Sequence, residues 1–155
     1  MKVPALKSVP LFSDLHESDL ESLATVASIR RVEQETVILQ AEEEGDTLFV
    51  ILSGRVSVTV GNEDGREVIL SILTAGDFFG EMSLLDGKPR SASVVATEHT
   101  ELLLLRRVDF LYCMQCNSNL ATRLVSTLAN RLRRTNRQVE SLALLNAYGR
   151  VAGVL

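Results

Sequence analysis

The chain has 155 residues with 46% hydrophobic content, about one domain's worth with a single buried core. No window approaches the roughly 18 apolar residues of a membrane span, and the start, Met1-Lys2-Val3-Pro4, lacks the apolar stretch of a signal peptide, so a cytoplasmic protein is expected. A net charge of −4 argues against nucleic-acid binding by this chain alone; any DNA contact would need more protein.

After a loose start carrying Pro4 and Pro10, the run from Phe12 to Ala27 is predicted as a helix. Ser18 and Glu21 form a capping-box pattern, and Leu20, Leu23, Ala24 and Ala27 recur at helical spacing. This N-terminal segment, 1–28, would cover one end of a β-rich region, 29–108. There, short apolar runs predict strands over 29–32, 36–40, 47–52, 55–60, 66–73, 91–96 and 101–106. Gly45, Gly54, Gly61, Gly65, Gly76, Gly80 and Gly87 fall at the breaks, a cadence that indicates an antiparallel sandwich or barrel rather than βαβ units.

Within this region the stretch Phe78 to Val94 has its own logic. Gly80 lets the backbone turn and approach a ligand, and Glu81 to Leu85 can form about one helical turn, whose amides, those of Met82 and Ser83 among them, would lack intrahelical partners. An anion can sit at such a place. Asp86-Gly87 ends the turn, Pro89 fixes the backbone, and Arg90 returns nine positions after Glu81 as a planar, always-charged fork suited to phosphate. Glu81, an acceptor only, suits a sugar hydroxyl beside that phosphate. Phosphate and ribose together indicate a nucleotide; the alternative is a surface loop with a Glu–Arg ion pair of little worth.

The region 109–155 is predicted to be helical. Asp109 would cap a short helix running to Cys116, Asn117-Ser118-Asn119 would break it, and a long helix would begin near Leu120. Ala121, Val125, Leu128, Leu132, Thr135, Val139, Leu142, Asn146 and Gly149 follow at alternating steps of four and three, a heptad seam that predicts a parallel two-helix homodimer, with Thr135 and Asn146 fixing register. Arg131, Arg133, Arg134 and Arg137 invite a DNA reading, against which stands the simpler one of a solvated helix face. Cys113 and Cys116 form a Cys-x-x-Cys, but His16 and His99 lie far away in sequence, so packing cysteines are expected rather than a zinc or redox pair.

The residues Phe79-Gly80-Glu81 and Pro89-Arg90-Ser91-Ala92 resemble the phosphate-binding cassette of cyclic-nucleotide-binding domains. The spacing and Pro89 are closer to the protein-kinase regulatory type than to the enteric catabolite activator, whose loop is one residue longer. The resemblance implies that Glu81 binds the ribose 2′-hydroxyl and Arg90 the cyclic phosphate, with Gly80 at the turn and Ser91 and Ala92 adding a hydroxyl and an N–H. Gly45 to Val56 is similar to a second block of the same family. Leu70, Ile72 and Val58 are candidates for an apolar wall beside the base, with core packing the simpler role for each. The C-terminal segment resembles the dimerisation helix of CRP/FNR (catabolite activator) regulators through Val139, Leu142-Ala143, Leu145 and Gly149-Arg150. Thr135 then falls at an adenine-contacting threonine, and Asn136 at a serine supplied across the dimer.

The resemblance implies a mainly β fold with helices: an antiparallel, jelly-roll-like β-roll with an N-terminal helix and a long C-terminal dimerisation helix. It implies a sensor for cAMP, with cGMP possible since Ser91 also resembles cGMP-selective sites, and Thr135 favouring cAMP. Only Val151 to Leu155 follow Gly149-Arg150, so a helix-turn-helix domain is absent from this stretch. The expectation is either the sensor part of a transcription regulator or a stand-alone nucleotide-binding protein. The competing reading is an interaction module of the same fold that binds no nucleotide or a different effector. Cyclic-phosphate hydrolysis would need an activating metal or base that no His/Asp cluster supplies, so neither catalysis nor a metal is expected.

Overall fold

The computed structural model describes the chain apart from Met1, Glu43, Glu44, Asn62, Glu63, Ser91 and Leu155; of Met82, Leu84 and residues 148–154 it describes the backbone alone. The order is α1 (Lys2–Lys7), a 3-10 turn at Pro10–Phe12, α2 (Glu17–Val26), β1 (Ser28–Val32), β2 (Val37–Leu39), β3 (Thr47–Ser53), β4 (Arg55–Gly61), β5 (Glu67–Thr74), β6 (Phe78–Phe79), α3 (Glu81–Asp86), β7 (Ser93–Ala96), β8 (Thr100–Arg106), α4 (Arg107–Cys116) and α5 (Ser118–Val154). The chain divides into two compact units, Met1–Leu120 and Ala121–Leu155.

Two four-stranded antiparallel sheets form the first unit, in the orders β1-β8-β3-β6 and β2-β7-β4-β5. This is the mainly β, antiparallel architecture that the glycine-punctuated runs predict. β3 shows why it holds. Leu48 to Ile51 are all buried, since alternate side chains serve two apolar layers. Phe49 and Ile51 join Val32, Phe79 and Leu102 of their own sheet and Ile38, Val56, Val94 and Ala96 of the other in one core cluster. Leu48 and Val50 point to the opposite face, and α4 packs on β3 and β8. β5 closes the second sheet as an edge strand, with Leu70 and Ile72 exposed; neither packs in the core, whereas partly buried Val58 does.

Several local expectations are corrected. The start is not loose: Lys2–Lys7 is helical, with Pro4 in its first turn, where its missing N–H costs no hydrogen bond, and Lys2 Nζ donates to Ala27 O at 2.6 Å. The predicted Phe12–Ala27 helix is a 3-10 turn followed by α2, with His16 rather than Ser18 at the N-cap and no side-chain capping bond. Arg106, not Asp109, precedes α4; Asp109 lies in its first turn, where its charge still complements the helix dipole. Asn117 alone breaks the helices, donating from Nδ2 to Cys113 O at 3.0 Å, and α5 begins at Ser118. Among the described residues no helix is long and apolar enough to cross a membrane.

Candidate functional site

The stretch predicted to hold an anion is built around a buried guanidinium. Gly80 ends β6 in the left-handed conformation, φ 86°, so that the chain turns directly into α3, and Gly87, φ 71°, ends α3 with its N–H on Ser83 O at 2.9 Å. The helix runs one residue beyond the single turn predicted over Glu81 to Leu85, ending at Asp86. The loop through Pro89 then brings Arg90 back beneath its start. Arg90 is 5% exposed; Nη1 donates to Gly80 O at 2.9 Å and Nη2 to Thr47 O at 3.1 Å. Its Nε is buried and has no protein partner.

The surroundings of Arg90 come from three separate segments. The guanidinium carbon lies 6.0 Å from the centroid of the Phe49 ring, which stacks parallel on Phe79 at 5.1 Å. Gly45 lies so close that a Cβ there would overlap the guanidinium. Burial draws the Arg90 pKa below its ordinary value, while the nearby carboxylates of Asp46 and then Glu81 push it back up. The backbone N–H of Glu42 donates to Arg90 O at 2.9 Å, tying the segment before Gly45 to the same residue.

The remaining predicted residues divide. Glu81 and Ser83 are buried within α3, and the Glu81 carboxylate is within electrostatic reach of Arg90; Ala92 is half-buried on the approach to β7. Met82 takes part in α3, with its side chain outside the described residues, and Ser91 lies outside them altogether. Thr135 and Asn136 belong to the second unit, exposed on α5, and Thr135 Oγ1 donates back to Arg131 O at 3.0 Å. Of the two cysteines, both free, Cys113 is buried and Cys116 exposed. Burial, with smaller contributions from Asp19 and Cys116, pushes the Cys113 thiol up to about 11 against the opposing effect of Asn117. Among the described residues no group of three His, Cys, Asp or Glu side chains could hold a metal. Asp46 and the Thr47 carbonyl are site residues that reasoning from the cassette misses, because strand pairing brings them there; the Gly45-Asp46 pair was their available signal.

Residues 29–117 match the cyclic nucleotide-binding domain. The chain is 36% identical over 137 residues to the cAMP-activated global transcriptional regulator CRP of Pasteurella multocida, covering 88% of this chain and 66% of that protein. The crystal structure of the Thermus thermophilus catabolite activator protein superposes with a TM-score of 0.76 at 36% identity, covering 86% of this chain and 63% of that one. The regulatory subunit of a cAMP-independent protein kinase A from Trypanosoma brucei is similar at a TM-score of 0.74 and 29% identity, over 82% and 46% of the two chains. The chain thus spans about two thirds or less of these relatives.

Proposed function

The chain belongs to the cyclic nucleotide-binding domain family, and from that premise we propose that it is the cAMP-binding, homodimeric sensor module of a CRP/FNR-type transcription regulator. The observation that carries the proposal is Arg90: a buried cation within electrostatic reach of the Glu81 carboxylate, with an Nε–H that no protein group uses. Two of its five N–H donors hold Gly80 O and Thr47 O, so the fork is pre-oriented before a ligand arrives. The phosphodiester of cAMP carries one negative charge, which Arg90 matches, while the N–H groups of Met82, Ser83 and Ala92 and the Ser91 hydroxyl complete the phosphate shell at the turn made by Gly80. Glu81 accepts from the ribose 2′-hydroxyl. Thr135 and, from the partner protomer, Asn136 meet the adenine, so the ligand biases how two α5 helices pack. An attached output domain, DNA-binding where the native protein has one, feels this as a population shift, provided the two helix arrangements differ in ligand affinity.

A second reading has one observation in its favour. The Arg90 donors already satisfy two backbone carbonyls beneath a covering glycine, which is also how a purely structural arginine would sit. On that reading the chain is a nucleotide-independent or other-effector interaction module. Calorimetric titration of cAMP and cGMP into the purified protein, with Arg90→Ala in parallel, separates them. Saturable cAMP heat, weaker cGMP heat, and affinity reduced roughly 30-fold or more in Arg90→Ala is the expected result, since truncating a buried charge partner costs about 2–5 kcal/mol. No heat from folded wild type with either nucleotide would overturn the receptor proposal.

A further inference from the structure

Packing accounts for only one of the two cysteines of the Cys-x-x-Cys motif. Cys113 is buried on α4 with Asp19 of α2 in electrostatic reach, whereas Cys116, three positions on in the last turn of the same helix, is exposed. The two are near enough for Cys116 to act on the ionisation of Cys113. In an α-helix, Cα atoms three residues apart lie about 5 Å from each other, inside the roughly 4.4–6.8 Å that a disulfide spans. The Cβ atoms, at about 5–6 Å, stand too far apart for the roughly 3.5–4.5 Å of the bridge. A 3-10 turn closes that gap, because there the side chains at i and i+3 eclipse, and helix ends adopt it readily. Nothing helical follows directly to prevent it: Asn117 is extended, φ −134° and ψ 97°, and α5 begins anew at Ser118. Asn117 Nδ2 donates to Cys113 O at 3.0 Å and lies 3.7 Å from Cys113 Sγ, a side-chain donor able to follow the carbonyl as the turn tightens.

We propose that Cys113 and Cys116 are a reversible thiol–disulfide pair, oxidised by a low-molecular-weight disulfide. Cys116, as thiolate, attacks one sulfur of that disulfide and expels a thiolate, which leaves a mixed disulfide on the protein. Cys113 then gives its proton to water, attacks Cys116 Sγ and expels the second thiolate. Both leaving groups take up protons, so two cysteine S–H groups and one reagent disulfide become one protein disulfide and two free thiols. Burial pushes the Cys113 thiol up to about 11, which fixes the order: the exposed thiol reacts first and the buried one resolves. A bridge across so short a loop constrains the unfolded chain little, and one that deforms a helix end is strained, so the oxidised form is readily reduced. Those are the properties of a regulatory disulfide rather than a structural one.

The folded, full-length chain is oxidised with glutathione disulfide, quenched in acid, unfolded and treated with a maleimide, and its peptides are read by mass spectrometry for wild type, Cys113→Ser and Cys116→Ser. In wild type both thiols are lost, a peptide bridged between Cys113 and Cys116 appears within single chains, and dithiothreitol restores both thiols. Cys113→Ser stops at the mixed disulfide on Cys116. In Cys116→Ser the remaining thiol reacts roughly ten-fold or more slowly than Cys116 does in Cys113→Ser, because it is buried and protonated. Far-UV circular dichroism checks that each variant is folded; should Cys113→Ser not be, Cys113→Ala, which keeps the position apolar, takes its place. The proposal is overturned by a wild-type mixed disulfide on Cys116 that persists with Cys113 still free, by a bridge between two chains, or by no loss of thiol. No nucleotide takes part, so each of these outcomes is independent of the receptor proposal.

Discussion

At the scale of single residues the site turns on how closely backbone approaches Arg90. The overlap that a Cβ at Gly45 would make with the guanidinium is a steric requirement rather than a conformational one, since Gly45, unlike Gly80 and Gly87, is absent from the glycines at positive φ. Gly45→Ala should therefore leave the backbone unstrained and displace Arg90 instead, breaking its bonds to Gly80 O and Thr47 O. The expected outcome is cAMP affinity lowered roughly ten-fold or more with modest loss of stability, because two charge-assisted bonds are disturbed. Titration and thermal unfolding of the variant check it, and unchanged affinity would mean that the guanidinium has another route to the ligand. Glu81 and Arg90 are legible from the sequence because their chemistry and separation are local. The Thr47 carbonyl and the Asp46 charge are not, since the Gly45-Asp46 pair signals a turn before β3 without pointing to residue 90; β3–β6 pairing creates the proximity.

Among the elements, periodicity reads best where one face is buried over a long run, and worst where a turn or a contact decides. β3, β4 and β8 were visible as apolar runs, and their observed limits differ from the predicted ones by a residue at an end. β6 is two residues long and exists because Phe49 and Phe79 stack across the pair, a tertiary contact with no local signature. Pro4 gives the start a loose look in the sequence, although proline is tolerated in the first turn of a helix such as α1. α5 tests the opposite case, a seam predicted from spacing alone. Val125, Leu132, Val139 and Leu142 are exposed along it, which is what an unpartnered dimer stripe looks like and what the homodimer proposal requires. Leu132→Asp should dissociate the dimer without unfolding the protomer. Burying a leucine is worth about 1.5–3 kcal/mol and a symmetric interface loses it twice, so the dimer dissociation constant should rise roughly a hundred-fold or more. Sedimentation analysis measures this; an unchanged dimer would place the interface elsewhere.

Charge is distributed over the whole molecule in a way that its net value of −4 conceals. Between Ser118 and Val154 stand six arginines and a single acidic residue, Glu140, whereas the remainder of the chain carries nineteen Asp and Glu against ten Lys and Arg. Two α5 helices side by side, about 8–10 Å apart, would bring like charges within roughly one Debye length at moderate salt. Apolar burial along the seam must then overcome repulsion between the helices as well as between two net-negative protomers. Raising sodium chloride from 50 to 500 mM screens both repulsions and strengthens effective apolar burial little by comparison, so the dimer should tighten, by roughly five-fold, as the ionic strength increases. The dimer constant followed by sedimentation across that range decides the matter. Weakening with salt would instead mean that attraction between the basic helix of one protomer and the acidic part of the other holds the pair together, and the arginines of α5 would then be interface residues rather than a solvated face.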